Sequence, residues 1–236
     1  MRVGEPGTVA KAPLSHTQAR VWFLQHVDPT GAAYNVAAIW YVDGPLDVAA
    51  LRAALHAVAA RQPMLRTRFP TIDGAPWQVI DDRAEVDLEL VDLSGAGDAA
   101  DDRMREAARE LASWRFDLAA APPIRWTLFT LGRDRHALVR VWHHILGDAR
   151  SGRAMNDDLA RAYASARAGT TPALPPLPVD YLGYSERQRR ELESAEAARR
   201  LEACRVRLAG APTLALPTDF RRPATPSYRG GEVRAT

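Results

Sequence analysis

The segment IRWTLFTLGRDRHALVRVWHH, residues 124–144, is central to the fold. Its two halves, 124–131 and 136–144, are runs of apolar, β-branched and aromatic residues of the kind that form strands. The tetrapeptide GRDR between them, 132–135, supplies the glycine and aspartate that tight turns favour. The segment therefore predicts two antiparallel strands paired at the centre of a sheet.

Strands and helices follow one another on both sides of this pair. Upstream, the sequence predicts a strand at 37–44, a helix at 46–62 with Asp47 as its N-cap, strands at 64–69 and 77–80 that form a hairpin, a strand at 86–93 and a polar helix at 98–113. Downstream, it predicts a helix that ends at Gly169, a proline-rich connector at 170–178, one long charged helix at about 180–208 and a tail with a short terminal strand. This order predicts an α+β or α/β fold in which helices cover a mixed β-sheet.

The composition excludes several functional classes. Of 236 residues, 47% are hydrophobic and 25% are charged, and the net charge of +2 gives no reason to expect binding to nucleic acid or to a membrane. Cys204 is the only cysteine, so a disulfide framework and a cysteine-rich metal site are excluded. No apolar run is long enough to span a bilayer, and residues 1–13 have the composition of a polar tail or linker. We therefore expect a cytoplasmic protein.

The end of the second strand carries the residues with the clearest chemical potential. In VWHHILGDARS, 141–151, two histidines adjoin and Asp148 follows the second by four positions. Consecutive strand residues point to opposite faces, so we expect one imidazole to face the core and the other to line an opening. An imidazole there could transfer a proton near neutral pH, with Asp148 holding the ring or pairing with an arginine. The spacing is also consistent with two core histidines satisfied by backbone carbonyls, whereas His, His and one Asp make a poor metal-ligand set.

Five stretches, taken together, carry a resemblance to a known family. They are LSHTQARVWFLQHVDPTGAAYNV (14–36), ARQPMLRTRF (60–69), FDLAAAPPIR (116–125), WHHILGDARS (142–151) and VDYLGYSERQR (179–189). In this order the chain resembles the condensation domain of nonribosomal peptide synthetases, a member of the chloramphenicol-acetyltransferase-like superfamily. The resemblance implies a two-layer sandwich that is one lobe of a two-lobe, V-shaped domain. It assigns 14–225 to the N-terminal lobe and 226–236 to the start of the crossover to a missing C-terminal lobe.

The resemblance also implies roles for the histidine motif. The family signature His-His-x-x-x-Asp-Gly makes His144 the catalytic histidine and His143 a structural one. It likewise implies that Asp148 supports the site through an ion pair with Arg66 of the LRTRF block. The loop residues that it places along the substrate tunnel are Gly147, Ala149 and Ser151.

Two residues of the motif depart from the family pattern. Ala149 stands in the glycine position, and Arg150 stands where an aromatic residue is common. If the glycine position requires a positive φ or a close approach to substrate, a Cβ at 149 would strain the loop or narrow the tunnel. A complete domain of this family is also longer than this chain and contains a second, similar lobe.

The family's reaction defines the expected partners. An upstream carrier protein presents an acyl or peptidyl thioester on its phosphopantetheine arm, and the amine of a downstream aminoacyl thioester attacks it to form a peptide bond. The resemblance therefore implies two peptidyl carrier proteins and an adenylation domain as partners, with no metal or redox cofactor. Whether His144 acts as a general base or orients the amine, and which acyl groups are joined, stay open at this stage.

Two alternatives belong to different functional classes. The first is a non-catalytic module that docks or recruits carrier proteins through a degenerate site, for which Ala149 and Arg150 are the support. The second is a stand-alone acyltransferase of the chloramphenicol type, which has about this length. Those enzymes carry the histidine motif near the C-terminus, whereas here it lies in mid-chain. The isolated lobe is expected to be inactive without its second lobe.

Overall fold

The computed structural model of the chain describes residues 10–27, 31–83, 86–221 and 223–224. These residues fall into two units divided between Arg189 and Arg190, and each is described separately below. No helix within the described ranges has the length and apolarity needed to cross a membrane.

Eight strands and six α-helices make up the regular structure of the described residues. The strands are β1 (Lys11–Pro13), β2 (Asn35–Asp43), β3 (Thr67–Arg68), β4 (Thr71–Ile72), β5 (Ala75–Ile80), β6 (Leu88–Asp92), β7 (Ile124–Gly132) and β8 (Arg135–His143). The helices are α1 (His16–Val27), α2 (Val48–Arg61), α3 (Ala100–Ala112), α4 (Ala149–Arg167), α5 (Tyr181–Leu192) and α6 (Ala195–Leu208). Short 3-10 helices occupy Pro63–Arg66, Ser94–Ala99 and His144–Leu146.

The larger sheet has the strand order β2-β8-β7-β6. β8 pairs antiparallel with both β2 and β7, and β6 runs parallel to β7. Every residue of β8 after Arg135 is buried, because the strand is central and both faces of the sheet are covered. The antiparallel central pair predicted from 124–144 is confirmed, and with it the mixed α/β class.

Helices lie on both faces of this sheet. On the face of β8 that carries Arg140, α4 approaches closely enough for the guanidinium to bond Asn156, and α2 packs on α4. The opposite face carries His143 and its register partner Asn35, whose amide bonds the carbonyl of Ala112 at the end of α3. The motif at the end of β8 therefore lies where the sheet meets two helical layers.

The N-cap predicted for α2 is present. The side chain of Asp47 accepts a hydrogen bond from the backbone N–H of Ala50, and the helix buries Leu51, Leu55 and Val58. α2 ends at Arg61, before Pro63, as the sequence predicts. The apolar spacing of this segment therefore identified both the helix and its inner face.

The smaller sheet differs from its prediction in two places. β5 pairs with β3 and β4, which confirms a hairpin, but residues 64–66 of the strand predicted at 64–69 belong to a 3-10 helix. Pro63 opens that helix, and its carbonyl accepts a bond from the Thr67 hydroxyl, which stabilises the turn. In addition, Lys11–Pro13 belong to β1, which pairs with β5, and Ala12 is buried. The predicted polar tail therefore does not include its last three residues.

The charged helix predicted at 180–208 is two helices. α5 ends at Leu192, and Ser194 caps α6 by accepting a hydrogen bond from the N–H of Ala197. A serine side chain competes with helical hydrogen bonding and favours such an N-terminus. Glu196 forms ion pairs with two arginines of the next turn of α6, a helix without buried residues. The predicted terminal strand and the proposed crossover at 226–236 lie outside the described residues.

Candidate active site

The two histidines lie on opposite sides of the end of β8. His143 is the last residue of the strand and is completely buried, and His144 opens the following 3-10 helix and is exposed. Backbone hydrogen bonds fix both residues, from the N–H of His143 to the carbonyl of Pro123 (2.9 Å) and from the N–H of His144 to that of Tyr34 (2.8 Å). This is the inward and outward placement that strand alternation predicts.

The buried imidazole uses both of its nitrogens. Nδ1 of His143 accepts a hydrogen bond from the N–H of Ile145 (3.2 Å), and Nε2 lies 3.1 Å from Oε1 of Gln25 on α1. Burial, and secondly the charge of His144, lowers the pKa of His143 to about 4. The ring is therefore neutral at physiological pH, and its partners leave it without a free nitrogen for substrate.

The ion pair expected between Asp148 and Arg66 is not formed. The Arg66 guanidinium instead donates from Nε to the carbonyl of Ala59 (3.0 Å) and from Nη1 to that of Asp81. The Asp148 carboxylate accepts from Ser151 and is exposed. Arg66 thus connects the last turns of α2 with the residue that follows β5. The predicted ion pair between Asp148 and Arg66 was wrong because backbone carbonyls satisfy the arginine.

Asp148 is the N-cap of α4. Its Oδ1 lies 2.8 Å from both the backbone N and Oγ of Ser151, whose hydroxyl also accepts from the N–H of Asp148 (3.3 Å). This reciprocal capping box satisfies backbone donors that would otherwise lack partners at the helix start. The backbone and then the side-chain hydrogen bonds of Ser151 lower the pKa of Asp148 below its ordinary value.

Ala149 is accommodated without backbone strain. It is the first residue of α4, and Asp73 is the only non-glycine residue with positive φ in the described ranges. The strain considered for a Cβ in the glycine position is therefore absent. Of the three loop residues expected along the tunnel, Gly147 and Ser151 line a cavity, whereas Ala149 is exposed outside its lining.

Gly147 is required by close packing. Its backbone is extended, at φ 166°, so its conformation is open to any residue. A Cβ at this position, however, would lie 2.6 Å from Cβ and 2.8 Å from Oγ of Ser151. The glycine thus allows the chain to pass directly over the capping box of α4.

His144 faces a cavity of about 780 Å³ in the first unit. α1 contributes Thr17 and Val21 to its wall, and the 3-10 helix at 63–66 contributes Met64. The other sides are Arg61 at the end of α2, Trp142 with the loop 144–148, α4 as far as Arg161, and residues 177–187 of the connector and α5. Most of the exposed wall surface is apolar, and charged side chains of α2, α4 and α5 lie within it. A concave site of this kind can enclose a small molecule or an extended arm.

A buried ion pair in the cavity wall was not predicted from the sequence. Nη1 of Arg61 lies 2.6 Å from Oδ2 of Asp158, and the amide of Gln62 donates to the same oxygen (2.9 Å). Nε of Arg61 donates to the carbonyl of Pro175, which connects α2 and α4 with the proline-rich connector. The available signal was Asp158 itself, a charged residue on the buried stripe of α4 that includes Met155 and Ala162.

Within the part of the chain that the structure describes, no three His, Cys, Asp or Glu side chains come together as a metal site would require. The free thiol of Cys204 is exposed on α6 in the second unit.

A family model for the condensation domain matches residues 9–236. The chain belongs to the condensation-domain family. It is 36% identical over 231 residues to the dimodular nonribosomal peptide synthase of Bacillus subtilis. The aligned region covers 94% of this chain and 10% of that protein. Its resemblance to condensation domains of nonribosomal peptide synthetases is thereby confirmed, and secondary-metabolite synthesis is the setting of such relatives.

Solved structures confirm the fold. The X-domain from teicoplanin biosynthesis, solved in complex with OxyB, aligns with a TM-score of 0.82 at 33% identity, over 97% of this chain and 49% of that one. The first condensation domain of the calcium-dependent antibiotic synthetase, solved with a substrate analogue, aligns with a TM-score of 0.76 at 26% identity, over 86% and 48%. This condensation-domain chain thus spans about half of each solved chain and about a tenth of the Bacillus subtilis relative.

Proposed function

We propose that this chain is the part of a condensation domain that carries the catalytic histidine, His144, for peptide-bond formation between two carrier-bound thioesters. The observation that supports the proposal is the placement of His144, which is exposed at a cavity while His143 is buried and fully bonded. Membership in the condensation-domain family supports the same reaction class.

The proposed step joins an amine to a thioester. The amine of the acceptor attacks the donor carbonyl carbon, a C–N bond forms, and the tetrahedral intermediate then breaks its C–S bond. The proton lost by the amine ends on the departing thiolate. An imidazole at 144 can carry this proton, or orient the amine and stabilise the charged intermediate, because imidazole gains and loses protons near neutral pH.

The proposed substrates arrive on phosphopantetheine arms of an upstream and a downstream peptidyl carrier protein. The arms are parts of the substrates, so the site itself needs to bind only extended chains and hold their reacting ends together. The cavity beside His144, with Met64 and Val21 among its apolar residues and Tyr181 among its polar ones, is suited to such an arm. Holding both reactants in place supplies much of the rate enhancement of such reactions. An adenylation domain that loads the acceptor is part of the same proposal.

The test replaces one histidine and compares it with a matched control. In the whole protein that contains this chain, supplied with two loaded carrier proteins, His144→Ala should lower the rate of dipeptidyl-thioester formation on the order of 100-fold or more. His26→Ala changes another exposed histidine, on α1, and should leave the rate unchanged. Equal rates for the parent and His144→Ala would remove His144 from the chemistry.

A second candidate function is recruitment of a partner protein without turnover. The supporting observation is the likeness to the X-domain of teicoplanin biosynthesis, which was solved bound to OxyB. Ala149 no longer supports this candidate, since α4 accommodates it. Recruitment predicts that neither the parent nor the His144→Ala variant forms a dipeptidyl thioester. It also predicts that a partner enzyme of the same assembly line co-purifies equally with the parent and the variant.

A further inference from the structure

The inner face of α1 carries two buried amides. The buried residues of this helix are Gln18, Val21 and Gln25, which share one face at helical spacing. A helix face that meets the core is ordinarily apolar, and a buried glutamine must find hydrogen-bond partners to be tolerated. Both amides find them in or beside the histidine loop, since Gln18 Nε2 lies 3.4 Å from the carbonyl of Ile145 and Gln25 bonds His143.

The bonds of Gln25 specify which nitrogen of His143 carries the proton. Nε2 of Gln25 donates to the carbonyl of Gly31 (3.0 Å), so its Oε1 is the atom that faces Nε2 of His143. Because that oxygen only accepts, Nε2 of His143 must donate. Nδ1 is then unprotonated and can accept from the N–H of Ile145, which lies 3.2 Å away. Each hydrogen bond in this series therefore has a defined donor, and His143 is the tautomer protonated at Nε2.

The hydrogen bonds that run from Gln25 through His143 to Ile145 involve the two residues that flank His144. His143 and Ile145 are joined across it, and its own N–H is held by the carbonyl of Tyr34. From this geometry we propose that Gln25 is a positioning residue for His144, acting through the tautomer of His143. The inference rests on the proposed function, in which the ring at 144 must be held toward the reacting amine.

The electrostatic surroundings support the neutral, singly protonated ring. Burial keeps the pKa of His143 low, at about 4. The one charged group that acts on its pKa is His144, next in the chain, and the Tyr34 ring centroid lies 6.3 Å from its own. The other titratable groups on the two elements that hold it are His16, Arg20 and His26 of α1 and Arg135, His136 and Arg140 of β8. No carboxylate of the described residues forms an ion pair with His143, so a carboxylate introduced at 25 would be its nearest anion.

The first experiment reads the tautomer directly. In the 236-residue chain with nitrogen-15 histidine, NMR should show His143 protonated at Nε2 and unprotonated at Nδ1. Gln25→Met removes the acceptor and should yield a mixture of tautomers, whereas Arg20→Met, on the exposed side of the same helix, should leave the wild-type signals. A wild-type ring protonated at Nδ1 would overturn the inference, whatever the activity of the protein.

The second experiment reads the effect on His144 in the whole protein. Gln25→Met should lower kcat about 10- to 100-fold and change KM less than about two-fold, because the reacting group is misplaced while substrate binding is retained. Arg20→Met should match the parent. A change in KM alone, or none in kcat, would contradict a positioning role.

A second variant separates positioning from a merely structural role, and carries the test should Gln25→Met fail to fold. Gln25→Glu keeps an acceptor but raises the pKa of His143, and a doubly protonated ring cannot accept from Ile145. As the pH is lowered, kcat of Gln25→Glu should therefore begin to fall at a higher pH than kcat of the parent. Superimposable pH profiles would contradict the inference. The proposed function fails separately, if His144→Ala leaves the rate unchanged while the tautomer is as expected.

Discussion

At position 147, a single missing methyl group decides whether the histidine loop can pass over the start of α4. Gly147→Ala would bring Cβ within 2.6 Å of Ser151 Cβ, and should lower the free energy of unfolding by about 1–3 kcal/mol as the capping box is displaced. Gly152→Ala is the matched control, because its Cβ would meet its neighbours at 3.4 Å or more inside a helix. Alanine there gains up to about 1 kcal/mol of helix propensity. Thermal melts check both variants, and equal losses of stability would contradict the argument.

At position 143, burial makes stability depend on pH. The folded ring has a pKa of about 4 against an ordinary value of 6.5, so between these values the unfolded chain binds a proton that the folded chain does not. The contribution of His143 to the free energy of unfolding is constant above about pH 6.5. It declines as pH falls toward 4, by at most about 3 kcal/mol. Urea unfolding at several pH values should show this decline in the parent. His143→Gln should be less stable at pH 7 and show a flatter curve in that window, whereas parallel curves would contradict it.

At the scale of one element, α4 depends on its cap. Asp148→Ala removes the capping acceptor and should cost about 1 kcal/mol, less than the 3–5 kcal/mol of a broken buried ion pair. Asp148→Asn keeps an acceptor and should cost less. Since the carboxylate has a lowered pKa, its extra stabilisation is present above its unfolded pKa and is lost as pH falls through the folded value. Urea unfolding checks the order of the variants, and a loss above about 3 kcal/mol for alanine would favour an ion pair after all.

At the scale of the whole first unit, the half-buried Arg61 and the buried Arg140 behave differently. Arg61 joins α2, α4 and the connector through Asp158, whose side chain is only 8% exposed. Arg140 has no ion pair within the described ranges; it lies against the rings of Trp40 (4.9 Å), Trp126 (5.8 Å) and Trp142 (4.4 Å), and burial lowers its pKa to about 10. One arginine thus has a buried charge as partner and the other has aromatic faces.

Methionine substitutions of Arg61 and Arg140 compare the two environments directly. Arg61→Met leaves the Asp158 carboxylate buried with only an amide partner, and should cost about 3–5 kcal/mol. Arg140→Met removes a poorly solvated cation and fills the same space, so the free energy of unfolding should change by less than about 1 kcal/mol. Urea unfolding of both variants at neutral pH measures the difference. A larger loss for Arg140→Met would mean that the tryptophan rings stabilise the cation more than its burial costs.

The sequence by itself determined the central antiparallel strands, the helices with regular apolar spacing, the Asp47 cap, and the opposite orientation of His143 and His144. These features depend on periodicity and on residues near one another in the chain, which a sequence displays directly. The same local signals failed where a neighbouring residue offered a better hydrogen bond. Pro63 and Thr67 form a turn in place of a strand, and Ser194 divides a helix.

Only the tertiary structure decided which polar groups meet. It joined Arg61 to Asp158 and Gln25 to His143 across long stretches of sequence, and it directed Arg66 to the carbonyls of Ala59 and Asp81 in place of the Asp148 carboxylate. Residue types alone cannot choose among several acceptable partners for an arginine or a carboxylate. The choice is made by which backbone carbonyls and side chains packing brings within about 3 Å, where a hydrogen bond can form.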